Sequence, residues 1–324
     1  MRALIVCLLC LPGLVHAACS GRDMREHLTP EQDSAFAAQM AGTPYPEGNH
    51  WIARRGGDTL HLVGTIHIHD PRLDPIAARL APIIRSADRL LAEAEPDGEA
   101  KLQAHLAQNP SLIRIPAPSL IDRLDADTWA ALADAARARG IPPAMAAQLQ
   151  PWYLSLSLAV PPCVTVDLVQ GKRGLDHRLM DIALAEGVPI QALEPYTTIF
   201  ELFAAQPLDE QIAAIELGIL PAAQATDAMV TVIEQYFDEA HASTFPLNAI
   251  LAKGWLDMDP AAFDAMFAEM LDKLLYTRND NWMPRLLEAR GTSVVAVGAA
   301  HLGGTGGLLE MLEAEGFTLE RAAF

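Results

Sequence analysis

Leu62-Val63-Gly64-Thr65-Ile66-His67 and Val297-Gly298-Ala299-Ala300-His301-Leu302 are the two stretches that decide the fold. In each, a Gly-x-x-His follows an apolar, β-rich run, Leu60 to Val63 and Val294 to Val297, and opens into a turn. A parallel α/β sheet delivers side chains from its strand ends into one crevice, so turns far apart in sequence can bring two imidazoles together. A neutral imidazole is the commonest metal ligand, and a glycine ahead of it permits a sharp turn. A single histidine after a strand is more often a surface or hydrogen-bonded residue. The pairing of two in one structural context is what argues for a site.

Outward from these stretches the chain reads as alternating elements. Thr29-Pro30-Glu31 starts a helix, with Thr29 as its N-cap, and Trp51 to Ile68 reads as a hairpin turning at Arg54-Arg55-Gly56-Gly57-Asp58. Helical spacing over Ile76 to Ala87, then a strand at Arg89 to Ala94, gives a β-α-β start. Helices are expected from Leu120 to about Leu158, capped by Asp125 or Asp127, stopped at Gly140 and resumed over Ala144 to Ala159. Gly174 to Glu186 is amphipathic, Gly187 stops it, and Val188 to Leu193 is a short strand. Residues 196–290 carry helical patterns broken near prolines and read as a helical insertion or cap, with its last helix over Ala261 to Arg290. A strand at Ser293 to Val297, the helix Leu308 to Glu315 and a strand through Leu319 finish the chain. The expected fold is α/β, with a mixed, largely parallel central sheet flanked by helices, in a single domain over residues 19–324.

With 324 residues, 51% of them hydrophobic, the chain can bury a sizeable core. The net charge of -18 argues against nucleic acid as a partner. Met1-Arg2, the apolar run Ala3 to Val15 and the small residues near Ala17 read as a signal peptide over residues 1–18, too short to span a bilayer. No later stretch reads as a transmembrane segment, so a secreted or periplasmic protein is expected. Cys7 and Cys10 fall in the leader, which leaves Cys19 and Cys163. In an oxidising compartment these two invite a disulfide, and the rival reading is a lipid anchor at Cys19, as in a lipoprotein.

Around the first motif the sequence reads His67-Ile68-His69-Asp70. Alternation puts His67 and His69 on one face, with His67 the favoured ligand and His69 a support or neutral. Glu93-Ala94-Glu95 ends a strand, and alternation likewise puts Glu93 and Glu95 on one side, where a carboxylate could ligate a metal or act as a general base. Glu194, at another strand end, has the same two readings. Arg278-Asn279 lies on the helix that runs into the last strand, where Arg278 could clamp a carboxylate or an oxyanion and Asn279 could orient it. Each carboxylate and the arginine also has a plain surface reading.

Taken in order, Leu62 to His67, Ala92-Glu93-Ala94, Gln150-Pro151-Trp152, Gly174-Leu175-Asp176, Leu193-Glu194-Pro195, Arg278-Asn279 and Val297 to Leu302 resemble the TraB/GumN/Tiki family, also called the TraB/PrgY type. Trp152, Asp176 and the glycine-rich stretch after His301 look like its bacterial GumN branch. The resemblance implies a fold akin to erythromycin esterases and haem-binding ChaN-like proteins, with His67, Glu93 and His301 at a common site. Members of the animal Tiki branch are described as divalent-metal-dependent proteases. The expectation for this chain is therefore metal-dependent hydrolysis of an amide bond in an extracytoplasmic protein or peptide. His67, His301 and Glu93 would hold zinc, manganese or cobalt, and Arg278 would polarise or orient the scissile group. The alternatives are an esterase or amidohydrolase at the same site, or a non-catalytic metal- or haem-binding module. The sequence does not fix the oligomeric state.

Overall fold

Short runs without polar residues, Leu90-Leu91-Ala92 and Val294-Val295-Ala296-Val297, are what strands covered on both faces require. In the computed structural model, which describes residues 19–256 and 258–324, they are the central strands of a six-stranded mixed sheet. The strands are β1 (His50–Arg55), β2 (Asp58–Thr65), β3 (Arg89–Ala92), β4 (Ile190–Ala192), β5 (Thr292–Gly298) and β6 (Thr318–Arg321), in the order β4-β3-β5-β2-β1-β6. β4, β3, β5 and β2 run parallel, while β1 pairs antiparallel with β2 and β6. The protein is thus α/β, with a mostly parallel sheet. The leader expected over residues 1–18 lies outside the described residues.

Alternation along the strands builds two cores. Val63, Leu90, Ala92, Val294 and Ala296 turn to one face, where Leu73, Leu80, Ile84, Leu175 and Leu179 cover them from the Leu73–Ser86 and Leu175–Glu186 helices. Leu62, Leu91, Val295 and Val297 turn to the other, under Trp282, Leu286, Leu308 and Leu312 from the Thr277–Glu288 and Leu308–Ala314 helices. A third cluster, including Leu120, Leu132, Leu154 and Ile215, joins helices from both long connections. The segment expected to be an insertion at 196–290 is helical, but its last helix is one of the sheet's own covering layers.

Several expected boundaries move for local reasons. The strand expected to run to Ala94 stops at Ala92, and the one expected over Val188 to Leu193 covers only Ile190–Ala192. The helix expected over Ala144 to Ala159 is divided into Pro143–Ala146 and Pro151–Ala159. Pro151 has no N–H to give and holds Gln150 out of helical geometry, at ψ 138. The expected helix Ala261 to Arg290 is Pro260–Leu271 and Thr277–Glu288 joined by a π-helical turn at Asp272–Tyr276. Such turns recur at functional sites.

Cys19 and Cys163 form a disulfide, with Cα atoms 5.2 Å apart. The bond uses the sulfur that a lipid thioether at Cys19 would need. Among the described residues no single helix is long and apolar enough to cross a membrane. One pair, Pro151–Ala159 and Pro162–Val169, passes that test together but is bent by 89°.

Candidate functional site

The four parallel strands deliver the candidate residues in spatial order. Glu194 follows β4, Glu93 follows β3, His301 follows β5 and His67 follows β2, all at carboxyl ends of neighbouring strands. The two Gly-x-x-His turns lie almost in register, with Gly64 opposite Val297 and Thr65 opposite Gly298. A methyl group on Gly64 would come within 3.0 Å of the Ala299 Cα, so this glycine lets the two turns pack together. The histidines thus end adjacent strands although they are separated by most of the chain.

Arg278 occupies the centre. Its side chain is 7% exposed, and it reaches Glu93 Oε2 at 2.6 Å and Glu194 Oε1 at 2.8 Å through NH2. Nε donates to both Glu194 oxygens, at 3.1 and 3.2 Å, and NH1 donates to Leu274 O at 2.9 Å and to His301 Nε2 at 3.1 Å. A guanidinium has five N–H donors, and these contacts use all of them. Arg278 therefore has no uncommitted donor in this arrangement; it organises the carboxylates and His301, and acting on a scissile carbonyl would require it to release one of these partners. Leu274, which supplies one acceptor, lies in the π-helical turn.

Charge states follow from this arrangement. Burial pushes the Glu93 carboxyl up, but the positive groups around it and the Gly298 N–H, 2.6 Å from Oε1, bring it down to about 2. Burial pushes His301 down to about 4, so near neutrality it carries no charge, and His67, Arg278 and the amide are what keep Glu93 ionised. His301 Nδ1 lies 2.7 Å from Asn279 Oδ1 and donates to it, which leaves Nε2 as the acceptor for Arg278. For Arg278, burial disfavours the cation, but Glu194 and Glu93 outweigh it and raise its pKa.

His67 is held from the opposite side by Asp176. Its Nδ1 is 3.0 Å from Asp176 Oδ2, which directs Nε2 away from the Leu175–Glu186 helix. The closeness depends on Gly174, where an added methyl would meet Ile66 O at 2.0 Å, and on the Leu175 N–H bonded to Ile66 O at 2.9 Å. The helix start is thus laid against the strand end that carries His67. Burial opposes the imidazolium, but Asp176 and then Glu93 outweigh it and raise the pKa of His67. The side chain is 65% exposed, so water weakens both influences. Asp176 is itself held low by His177 and His67 against the effect of its burial.

The remaining candidates divide. Asn279 joins the site through His301 and also donates to Gly306 O at 2.9 Å, and Glu194 joins as the second partner of Arg278. His69 does not; its Nδ1 faces Arg178 NH2 at 3.0 Å. Glu95 turns outward to Lys101, because β3 ends at Ala92 and the alternation expected to align it with Glu93 does not continue. Sequence reasoning missed Trp282. It is fully buried, donates from Nε1 to Glu194 Oε2 at 3.0 Å, lies 4.4 Å from the His301 ring and stands 4.8 Å from the Arg278 guanidinium carbon. Its spacing of four from Arg278 on one helix was the available signal.

The donor chemistry fits a divalent ion. Each imidazole commits Nδ1 to an oxygen acceptor, Asp176 or Asn279, and so presents Nε2, the arrangement that orients metal-ligating histidines. To present that nitrogen to an ion His67 gives up its proton, and Glu93, Glu194 and Asp176 against Arg278 then leave two negative charges in excess. The spacing is not that of a closed metal site: among the described residues no group of three His, Cys, Asp or Glu side chains is placed to hold an ion. His301 Nε2 becomes a ligand only when Arg278 NH1 releases it.

A family model described as the TraB/PrgY/gumN family matches residues 49–321. Two relatives, each carrying the name Uncharacterized protein YbaP, are 25% identical over 278 residues, one from Escherichia coli (strain K12) and one from Shigella flexneri. Each alignment covers 82% of this chain and 94% of the relative. No solved structure matches the chain.

Proposed function

The chain belongs to the TraB/PrgY/gumN family, and we propose that it is an extracytoplasmic metal-dependent hydrolase that cleaves an amide bond in a protein or peptide. The observation that carries this reading is the pair of imidazoles, each fixed through Nδ1, at adjacent strand ends, with an ionised, partly buried carboxylate on the next strand end beyond His301. Arg278 adds weight. With all its donors committed, Arg278 offers no free donor to a carbonyl, and a bound ion would supply an electrophile. The disulfide fits an oxidising compartment, and so a location outside the cytoplasm.

His67, Glu93 and His301 would hold zinc, manganese or cobalt. The ion, when bound, would polarise the scissile carbonyl and make an attacking water more acidic. The protein's own part is positional. Asp176 fixes the His67 tautomer, Asn279 fixes that of His301, and Arg278 with the Gly298 amide keeps Glu93 ionised and aimed. Trp282 and Arg278 together immobilise Glu194.

A second reading rests on the contact between Arg278 and His301. If Arg278 keeps Nε2, the His67–Asp176 pair alone can move protons, as in a metal-free esterase-like hydrolase. Assaying a random-sequence peptide pool with and without chelator, alongside His67→Ala and His301→Ala, separates the readings. Cleavage that chelator stops and that both substitutions lower by at least about a hundredfold supports the metal enzyme. Cleavage that survives chelator but not His67→Ala supports the second reading, and no cleavage of peptides or esters sinks both.

A further inference from the structure

The geometry points to the free edge of β4 as the docking strand for the substrate, an extended polypeptide that pairs with it through backbone hydrogen bonds. This inference rests on the proposed hydrolase and names its substrate class. β4 ends the sheet, and its described strand pairing is with β3. Pro189 O accepts from Leu90 N, and Leu193 N donates to Ala92 O, so residues 189, 191 and 193 turn their backbone groups toward β3. Strand alternation then directs those of Ile190 and Ala192 outward. Arg285 NH1 already donates to Ala192 O. Among the described residues that leaves the Ile190 N–H, the Ile190 C=O and the Ala192 N–H at strand spacing for a newcomer.

The space beside this edge is a groove that reaches Glu194 at the border of the site. One cavity of about 620 Å³ is lined by Ile190, Gln191, Ala192, Glu194, Tyr196 and Arg285, among others. A second, of about 410 Å³, shares Gln191 and Arg285 with it and extends toward Arg89 and Glu288. Glu194, which Arg278 holds beside Glu93, lines the first cavity, so a chain laid along β4 ends beside Glu194, one strand from Glu93. An open sheet edge recognises main-chain amides whatever the side chains, which is how extended peptides add to sheets elsewhere. A small ester or a folded helix supplies no matching ladder. Exposed edges are usually covered, charged or kept short; β4 is short and carries one arginine guard, which leaves room for one guest strand.

The test is residue-resolved amide exchange of the whole chain, in chelator, with and without the random-sequence peptide pool. A second pool, N-methylated at alternate positions, serves as comparison, and cleavage is assayed separately. The expected result is exchange slowed by about tenfold or more at the Ile190 and Ala192 amides with the plain pool and not with the methylated one. Ile190→Pro removes one outward donor at a position where a sheet edge tolerates proline, and should weaken pool binding about three- to tenfold. Protection without cleavage keeps the docking strand and removes the hydrolase reading. Cleavage without protection at these amides does the reverse. Equal protection by both pools, or no protection by either, overturns the docking strand. So does protection that grows with protein concentration in the absence of peptide, because the edge then pairs with a second copy.

Discussion

Arg278→Met is expected to destabilise the fold by about 3–5 kcal/mol, because it leaves two carboxylates in a nearly closed site without their cation. Glu194 is 10% exposed and Glu93 18%, so water cannot take over the lost bonds. Arg278→Lys keeps the charge but not the planar fork that serves Glu93, Glu194, His301 and Leu274 O together, and should recover only part of the loss. Replacing Glu93 and Glu194 by glutamine along with Arg278→Met should lose less stability than Arg278→Met alone, while activity stays abolished. Denaturant midpoints measure all of these, with constant slopes showing that the unfolded state is unchanged. An Arg278→Met protein within about 0.5 kcal/mol of the parent would mean that the arginine is solvated and the site is not organised around it.

Loss of the Cys19–Cys163 bond carries the second large effect. It spans 144 positions of sequence, and the entropy of closing so long a loop sets an upper figure of about 5 kcal/mol, with about 2–4 kcal/mol usual for a native disulfide. Close to Cys19 the arm is tied by two backbone bonds and, further on, by the Arg25–Asp238 ion pair. Arg22 N donates to Asp227 Oδ1 and Met24 N to Thr231 Oγ1, each at 2.8 Å. Cys163→Ala should therefore lower the unfolding midpoint and expose the arm to proteolysis near Arg22, as followed by mass spectrometry of the cleaved N-terminus. An unchanged midpoint, together with a lipid mass on Cys19, would show that this sulfur serves as an anchor.

What the sequence made legible was set by periodicity. Short, largely apolar runs read as covered strands, and the ends of parallel strands open at one edge, so His67, Glu93, Glu194 and His301 could be placed by pattern. Glu95 shows the limit of that reasoning, since alternation holds only while the strand lasts and β3 stops before it reaches Glu93. A carboxylate clamp at Arg278 was legible, but its full set of partners was not, because that depends on counting donors against acceptors from four separate segments. Gly174 was quoted with Asp176 as part of a pattern, yet its reason is a close approach between two backbones that no local propensity encodes. Nothing local in the sequence distinguishes Trp282 from a core aromatic, and only its indole bond to Glu194 shows its second task.

The most direct measurement is the divalent metal content of the folded protein, purified without chelator, beside that of His67→Ala. A stoichiometric ion in the parent that disappears from the folded variant is the predicted result. A parent without bound metal, or a variant that retains the ion unchanged, would contradict the assignment of these strand ends as its ligands.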